Sequence, residues 1–118
     1  MKNPMKKLTV FFACLLVAMA ATAQNYVKIM SYNVRNAKGM DNVVDCRRIA
    51  HIILEQDPDL VAIQELDSMT RRYGQKYILE EIAQYTRLHA AYYPAIDFDG
   101  GKYGIGILSS RLYECDRI

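Results

Sequence analysis

Between residues 25 and 67 the spacing of apolar side chains changes twice, and that change limits the folds open to the chain. "NYVKIMSYNV", residues 25–34, alternates with a period of two, which predicts a strand with Val27, Ile29, Ser31 and Asn33 on one face. From Val43 onward the apolar positions Val43, Cys46, Ile49, Ala50, Ile53 and Leu54 recur three and four apart, the pattern of an amphipathic helix. Asp41 or Asn42 is expected to cap its start, and "QDPD" to end it, because Pro58 disfavours a helical residue before it. An unbroken apolar run, Leu60 to Ile63, then reads as a buried strand that stops at Gln64 and Glu65. Strand, helix, strand is a βαβ-like unit, which places the carboxyl ends of both strands on one edge of the sheet. Open α/β sheets bind ligands along that edge. Here it carries Asn33 from the first strand and Glu65 from the second.

The rest of the chain extends the pattern. A second helix is expected over residues 75–86, with Tyr77, Ile78, Ile82, Ala83 and Tyr85 as its apolar side. "HAAYYPAI" and "YGIGILSS" read as strands joined by "DFDGGK", since Asp-Gly and Gly-Gly between apolar runs signal a hairpin. Gly104 and Gly106, on one face of the last strand, predict close approach by another backbone or a ligand. "LYECDRI" reads as the start of one more strand.

The first residues read as a leader rather than as fold. Lys2, Lys6 and Lys7 precede an apolar run, residues 8–20, and "ATAQ" follows with small residues at Ala21 and Ala23. This is the order of a secretory signal peptide covering residues 1–23. The run is shorter than the roughly 18 residues that call for a spanning helix, so no stable membrane anchor is expected after cleavage. The expected localisation is exported, periplasmic or extracellular. Loss of the three leader lysines turns the formal net charge of +2 into −1. That balance speaks against a surface built to grip a polyphosphate non-specifically. Cys46 and Cys115 remain after the leader, and an apolar helical setting for Cys46 favours buried thiols over a disulfide.

Glu65 is the leading candidate for chemistry, because a carboxylate at a strand end supplies the hard oxygen that a divalent cation needs. The pattern alone also allows it to pair with an arginine or to meet water. Asn33 has an amide that can orient a phosphate oxygen or a metal-bound water, or it can be a turn residue. His51 and His89 have no Asp or Ser partner in sequence that would suggest a Ser-His-Asp assembly. "DFDGG" lacks the twelve-residue ligand spacing and closing glutamate of a calcium loop, and no Gly-Lys-Ser/Thr element makes the glycines a phosphate loop.

Three segments together resemble the endonuclease/exonuclease/phosphatase superfamily, the deoxyribonuclease I-like metal-dependent hydrolases. "KIMSYNVRN" resembles its first motif, an apolar strand ending in Asn; "PDLVAIQELD" resembles its Gln-Glu strand; "GGKYGIGILSS" resembles the glycine strand that follows. The resemblance covers residues 25–118. It implies an α/β (α+β) fold, the amino-terminal part of a four-layer α/β/β/α sandwich. It also implies Mg²⁺- or Mn²⁺-dependent hydrolysis of a phosphate ester, with Glu65 and Asn33 as catalytic residues and metal ligands. The substrate classes it implies are a nucleic acid, an inositol phosphate or a lipid head group. The family's Asp-x-Asn and Ser-Asp-His elements do not occur after the glycine strand. The expectation is therefore an incomplete domain, residues 24–118, from a truncated copy. The competing expectation is a non-catalytic exported α/β remnant or binding module.

Overall fold

The computed structural model describes residues 3–21 and 26–112. The expected cleavage junction, residues 113–118 of the final expected strand and, with them, Cys115 lie outside the described residues. In chain order the elements are α1 (Pro4–Ala21), β1 (Ile29–Asn33), α2 (Cys46–Gln56), β2 (Leu60–Ser68), α3 (Ile78–Thr86), β3 (His89–Phe98) and β4 (Gly101–Ser109). Short 3₁₀ turns at Arg35–Ala37 and Arg71–Tyr73 follow β1 and β2. Among the described residues, no helix is long and apolar enough to cross a membrane.

The strand–helix–strand expectation gives β1, α2 and β2. β1 and β2 pair in parallel, from Ile29 beside Leu60 to Asn33 beside Gln64. The helix starts later than its apolar spacing implied. Its N-cap is Asp45, whose carboxylate accepts from the backbone N–H of Arg47 at 2.9 Å and of Arg48 at 3.3 Å. Asp41 and Asn42 do not cap it. They belong to a loop pinned by Gly39 N–H donating to Val43 O and Asn42 N–H donating to Gly39 O. In that loop Asp41 instead takes two bonds from the Arg48 guanidinium. Val43, left before the helix, and Leu54, on its outer side, are both exposed. The helix stops at Asp57, which turns left-handed and donates to Ile53 O and Leu54 O before Pro58.

The sheet order is β1-β2-β4-β3, with β4 antiparallel to both neighbours. The hairpin turn is two residues, Asp99 and Gly100, both at positive φ (47° and 79°), as a tight hairpin of matching twist requires. α2 and α3 lie against each other and against one face of the sheet. Val61, Ile63, Leu66 and Leu108 from the sheet are fully buried there with Ile53, Ile78 and Ile82 from the helices. Each such side chain contributes about 1.5–3 kcal/mol by leaving water. Tyr77 and Tyr85, expected on the buried side of α3, are exposed, and Leu79 takes the inner position instead.

Gly106 lies beneath α3, where an added Cβ would come within 2.5 Å of Leu79 Cδ2. A Cβ on Gly104 would run into the Tyr93 carbonyl oxygen, so both glycines mark the close approach that the sequence suggested. On β1 the inward residues are Met30 and Tyr32, while Ile29, Ser31 and Asn33 face away from the helices. Ile29 on that outer face is 68% exposed and Ile105 is 50% exposed, so one side of the sheet is core and the other is not. This arrangement is one helix layer on one sheet, the amino-terminal part of an α/β/β/α sandwich.

Candidate functional site

The β1–β2 pairing ends at Asn33 and Gln64, but β2 does not stop at Glu65 as expected: it runs on to Ser68, held by its pairing with β4. A regular β2 would send Gln64 and Glu65 to opposite faces. The strand does not stay regular. Between Ile63 and Leu66 its register against β4 shifts by one residue, a β-bulge, and Glu65 sits there at φ 60°. The bulge re-aims Glu65 so that its Oε1 accepts a 2.8 Å hydrogen bond from Asn33 Nδ2. The amide oxygen of Asn33 faces back to its own chain and accepts from Arg35 N–H at 2.9 Å. Gln64, beside Asn33 in register, donates to Ser31 Oγ and to Ala62 O and stays on the sheet.

The two residues expected to carry the chemistry are therefore in contact. Their roles at an ion differ in this arrangement. Glu65 is half-buried and commits Oε1 to Asn33, which leaves its second oxygen for a cation. Asn33 turns its N–H toward Glu65 and its oxygen toward Arg35 N–H. A hard oxygen on the carboxylate at this bulge fits Mg²⁺ or Mn²⁺. Among the described residues, no three His, Cys, Asp or Glu side chains are grouped so as to hold a metal ion. Among the described residues the fit therefore rests on one carboxylate.

Several neighbours of the site carried no signal in the sequence reading. Asp67 is 1% exposed. Its carboxylate accepts from Arg72 Nε at 2.6 Å, Arg72 Nη2 at 2.7 Å and Thr70 Oγ1 at 2.6 Å. This pairing raises the Arg72 pKa, and the guanidinium also lies over the rings of Phe98 and Tyr103, at 4.6 and 5.9 Å from their centroids. Burial, followed by the Glu65 carboxylate, pushes the Tyr103 hydroxyl above its ordinary value. Asn36, with its amide turned so that nitrogen meets acceptors, donates to Glu65 O at 2.9 Å and to Asp67 Oδ1 at 2.8 Å. The only trace of this cluster in the sequence is an acid five residues before an arginine in "DSMTRR", which no regular period connects.

Other candidates stay apart from this edge. His51 is an exposed helix residue 3.4 Å from Glu55, and His89 is exposed at the start of β3. Asp97 of "DFDGG" pairs with Lys102 across the hairpin. Cys46 is a buried free thiol whose pKa is pushed up to about 12, chiefly by burial and then by Glu81. A cleft of about 350 Å³ beside Arg72 and Tyr73 is lined by Asp45, Arg47, Lys76 and Glu81, and neither Asn33 nor Glu65 reaches it.

Comparison with known proteins places the fold and the family. Two solved structures share the fold. An endonuclease/exonuclease/phosphatase from Beutenbergia cavernae is 19% identical with a TM-score of 0.54, over 70% of this chain and 25% of its own. An endonuclease/exonuclease/phosphatase family protein from Leptotrichia buccalis is 18% identical with a TM-score of 0.56, over 76% of this chain and 40% of its own. The chain thus spans between a quarter and two fifths of the length of these structures. No curated protein matches the sequence. Residues 30–116 match the endonuclease/exonuclease/phosphatase family, a stretch that holds β1 from Met30 onward, the Glu65 bulge and the glycine strand, and the chain belongs to that family.

Proposed function

We propose that the chain carries the metal-holding edge of a phosphoesterase, with Glu65 as the ligand to a Mg²⁺ or Mn²⁺ ion and Asn33 as the group that orients it. The observation that carries this reading is the 2.8 Å bond from Asn33 Nδ2 to Glu65 Oε1 where the parallel pairing of β1 and β2 ends. Bound there, a divalent ion supplies charge stabilisation at a phosphoryl oxygen. The chain's own residues, Glu65 and Asn33, would hold and aim that ion. The substrate class is a phosphate ester; nucleic acids, inositol phosphates and lipid head groups share the group that the site would meet. This reading makes residues 24–118 the amino-terminal share of such an enzyme, and the charged, apolar and small-residue order of residues 1–23 an export signal. The exported form would begin at Gln24, which N-terminal sequencing of secreted material reads directly; a sequence starting at Met1 rejects the signal.

The metal reading is tested by titrating the full chain with Mn²⁺ and following water-proton relaxation. Glu65→Gln keeps the shape of the side chain and removes its charge. Binding is expected in the wild type and lost in the variant, with an unchanged circular dichroism spectrum. Equal Mn²⁺ affinity in the two proteins removes Glu65 as the ligand.

A further inference from the structure

Glu65 holds its position in a left-handed backbone conformation that few non-glycine residues adopt. Something outside the strand must fix it there. The bonds that do so come from Asn36, which ties the Glu65 carbonyl oxygen to Asp67 Oδ1 through its amide nitrogen and accepts from Arg72 Nη2 at 3.2 Å through its amide oxygen. Asn36 is itself left-handed, at φ 55° and ψ 36°. Asp67 is buried, and both of its oxygens are spoken for by Arg72, Thr70 and Asn36. It therefore has no role as a metal ligand, although it lies two residues from one. Arg72 in turn is held flat by Tyr73 and Phe98, at 5.3 and 4.6 Å. The network runs from an aromatic-clamped guanidinium, through a buried carboxylate, to the main chain of the bulge.

We propose that Asn36, Asp67 and Arg72 form a positioning network that locks the bulge at Glu65 and so sets where its carboxylate points. Asn36, in a turn where Arg35, Asn36 and Ala37 all have positive φ, and Glu65 on β2, also at positive φ, are bonded to each other. Asn33, one strand over, bonds the end of the Glu65 side chain, so backbone and carboxylate are fixed from two separate anchors. Groups that orient a metal ligand in this way alter metal affinity by about ten- to hundredfold when removed. In its consequence for metal the inference rests on Glu65 being the ligand; in its consequence for geometry it does not.

Two variants separate the outcomes. Asn36→Gly retains the left-handed backbone, which glycine adopts freely, and deletes only the amide. Arg72→Lys retains the charge beside Asp67 and deletes the planar fork that serves Asp67 and Asn36 together. The first readout is the side-chain amide resonance of Asn33 in ¹⁵N-labelled full chain, with the Glu65→Ala spectrum, in which no acceptor remains, as the reference for a broken Asn33–Glu65 bond. The second is Mn²⁺ affinity. We expect Asn36→Gly to move the Asn33 resonance toward its Glu65→Ala position and to weaken Mn²⁺ about tenfold or more, while backbone resonances of α3 and β3 stay in place. Arg72→Lys should do the same. An Asn33 resonance unchanged in Asn36→Gly overturns the proposal, whatever Arg72→Lys does to folding. A wild type that binds no Mn²⁺ but whose Asn33 resonance moves in Asn36→Gly rejects the metal reading and leaves the network standing.

Discussion

Asn33 donates a 2.8 Å hydrogen bond to Glu65, although its partner in the parallel register is Gln64. Regular alternation along β2 would carry the Glu65 side chain to the helix-covered face, into a core of Ile63, Leu66 and Ile82. The single extra residue of the bulge prevents that burial. It keeps a carboxylate at the surface of the sheet edge, where a charged group escapes the cost of entering an apolar interior.

That contact predicts a graded loss at Asn33. A hydrogen bond to a charged group is worth about 1.5–3 kcal/mol when sheltered, and this one is partly exposed. Asn33→Ala is expected to weaken Mn²⁺ binding by about three- to tenfold, much less than Glu65→Gln. Isothermal titration of both variants reads the ratio, and an Asn33→Ala loss as deep as that of Glu65→Gln would make Asn33 a ligand in its own right.

The two strand glycines should differ in what they tolerate. A methyl group at Gly106 meets Leu79 and Leu66 side chains, which can swing aside. At Gly104 it meets the backbone of Tyr93 and Pro94, which cannot move without opening the β3–β4 ladder. Gly104→Ala is expected to cost about 1–3 kcal/mol, with Gly106→Ala at the lower end or below it. Denaturant melts of the two variants rank them.

Cys46 should resist alkylation under conditions that modify an ordinary thiol. Its pKa is raised from 9.0 to about 12 in the folded chain, first by burial and then by Glu81. A raised thiol pKa means that the fold favours the neutral form. Its contribution to stability is complete below pH 9 and is lost progressively as pH climbs toward about 12. Iodoacetamide at pH 9 should label Cys14, which is exposed, and spare Cys46 until denaturant is added. Mass spectrometry of the labelled peptides distinguishes the two.

The loop before α2 predicts the opposite sign in acid. The Arg48 guanidinium holds the Asp41 carboxyl down to about 2, below its ordinary 3.8. A depressed carboxyl pKa contributes stability above the ordinary value, and that contribution is lost as pH falls toward about 2. Arg48→Gln should return the Asp41 titration toward the ordinary carboxyl range, as followed by NMR of its side-chain carbon. No change in that titration would mean the pair is not formed in solution.

The sequence by itself determined the strand–helix–strand order, the hairpin at Asp99 and Gly100, and the placement of Asn33 and Glu65 at one sheet edge. Each follows from local rules: a period of two or of 3.6, a proline, and residues that accept positive φ. It was less exact where local signals compete. Asp41, Asn42 and Asp45 are all good caps, and only the Gly39–Val43 loop closure leaves Asp45 facing the free N–H groups of Arg47 and Arg48. The alternation of β1 did not say which side is core, because Ile29 and Met30 are both apolar; α2 and α3 covered Met30 and Tyr32. Tertiary structure alone decided the bulge at Glu65. An extra residue in one strand is defined only against its partner, and that partner is β4, where Leu66 pairs with Gly104. It alone also joined Asn36, Asp67 and Arg72, since a buried ion pair depends on the aromatic surroundings supplied by Phe98 and Tyr103, about thirty residues away along the chain. Local patterns carry no information about such distant partners, so the residues that hold the site in place emerged only once the strands were paired.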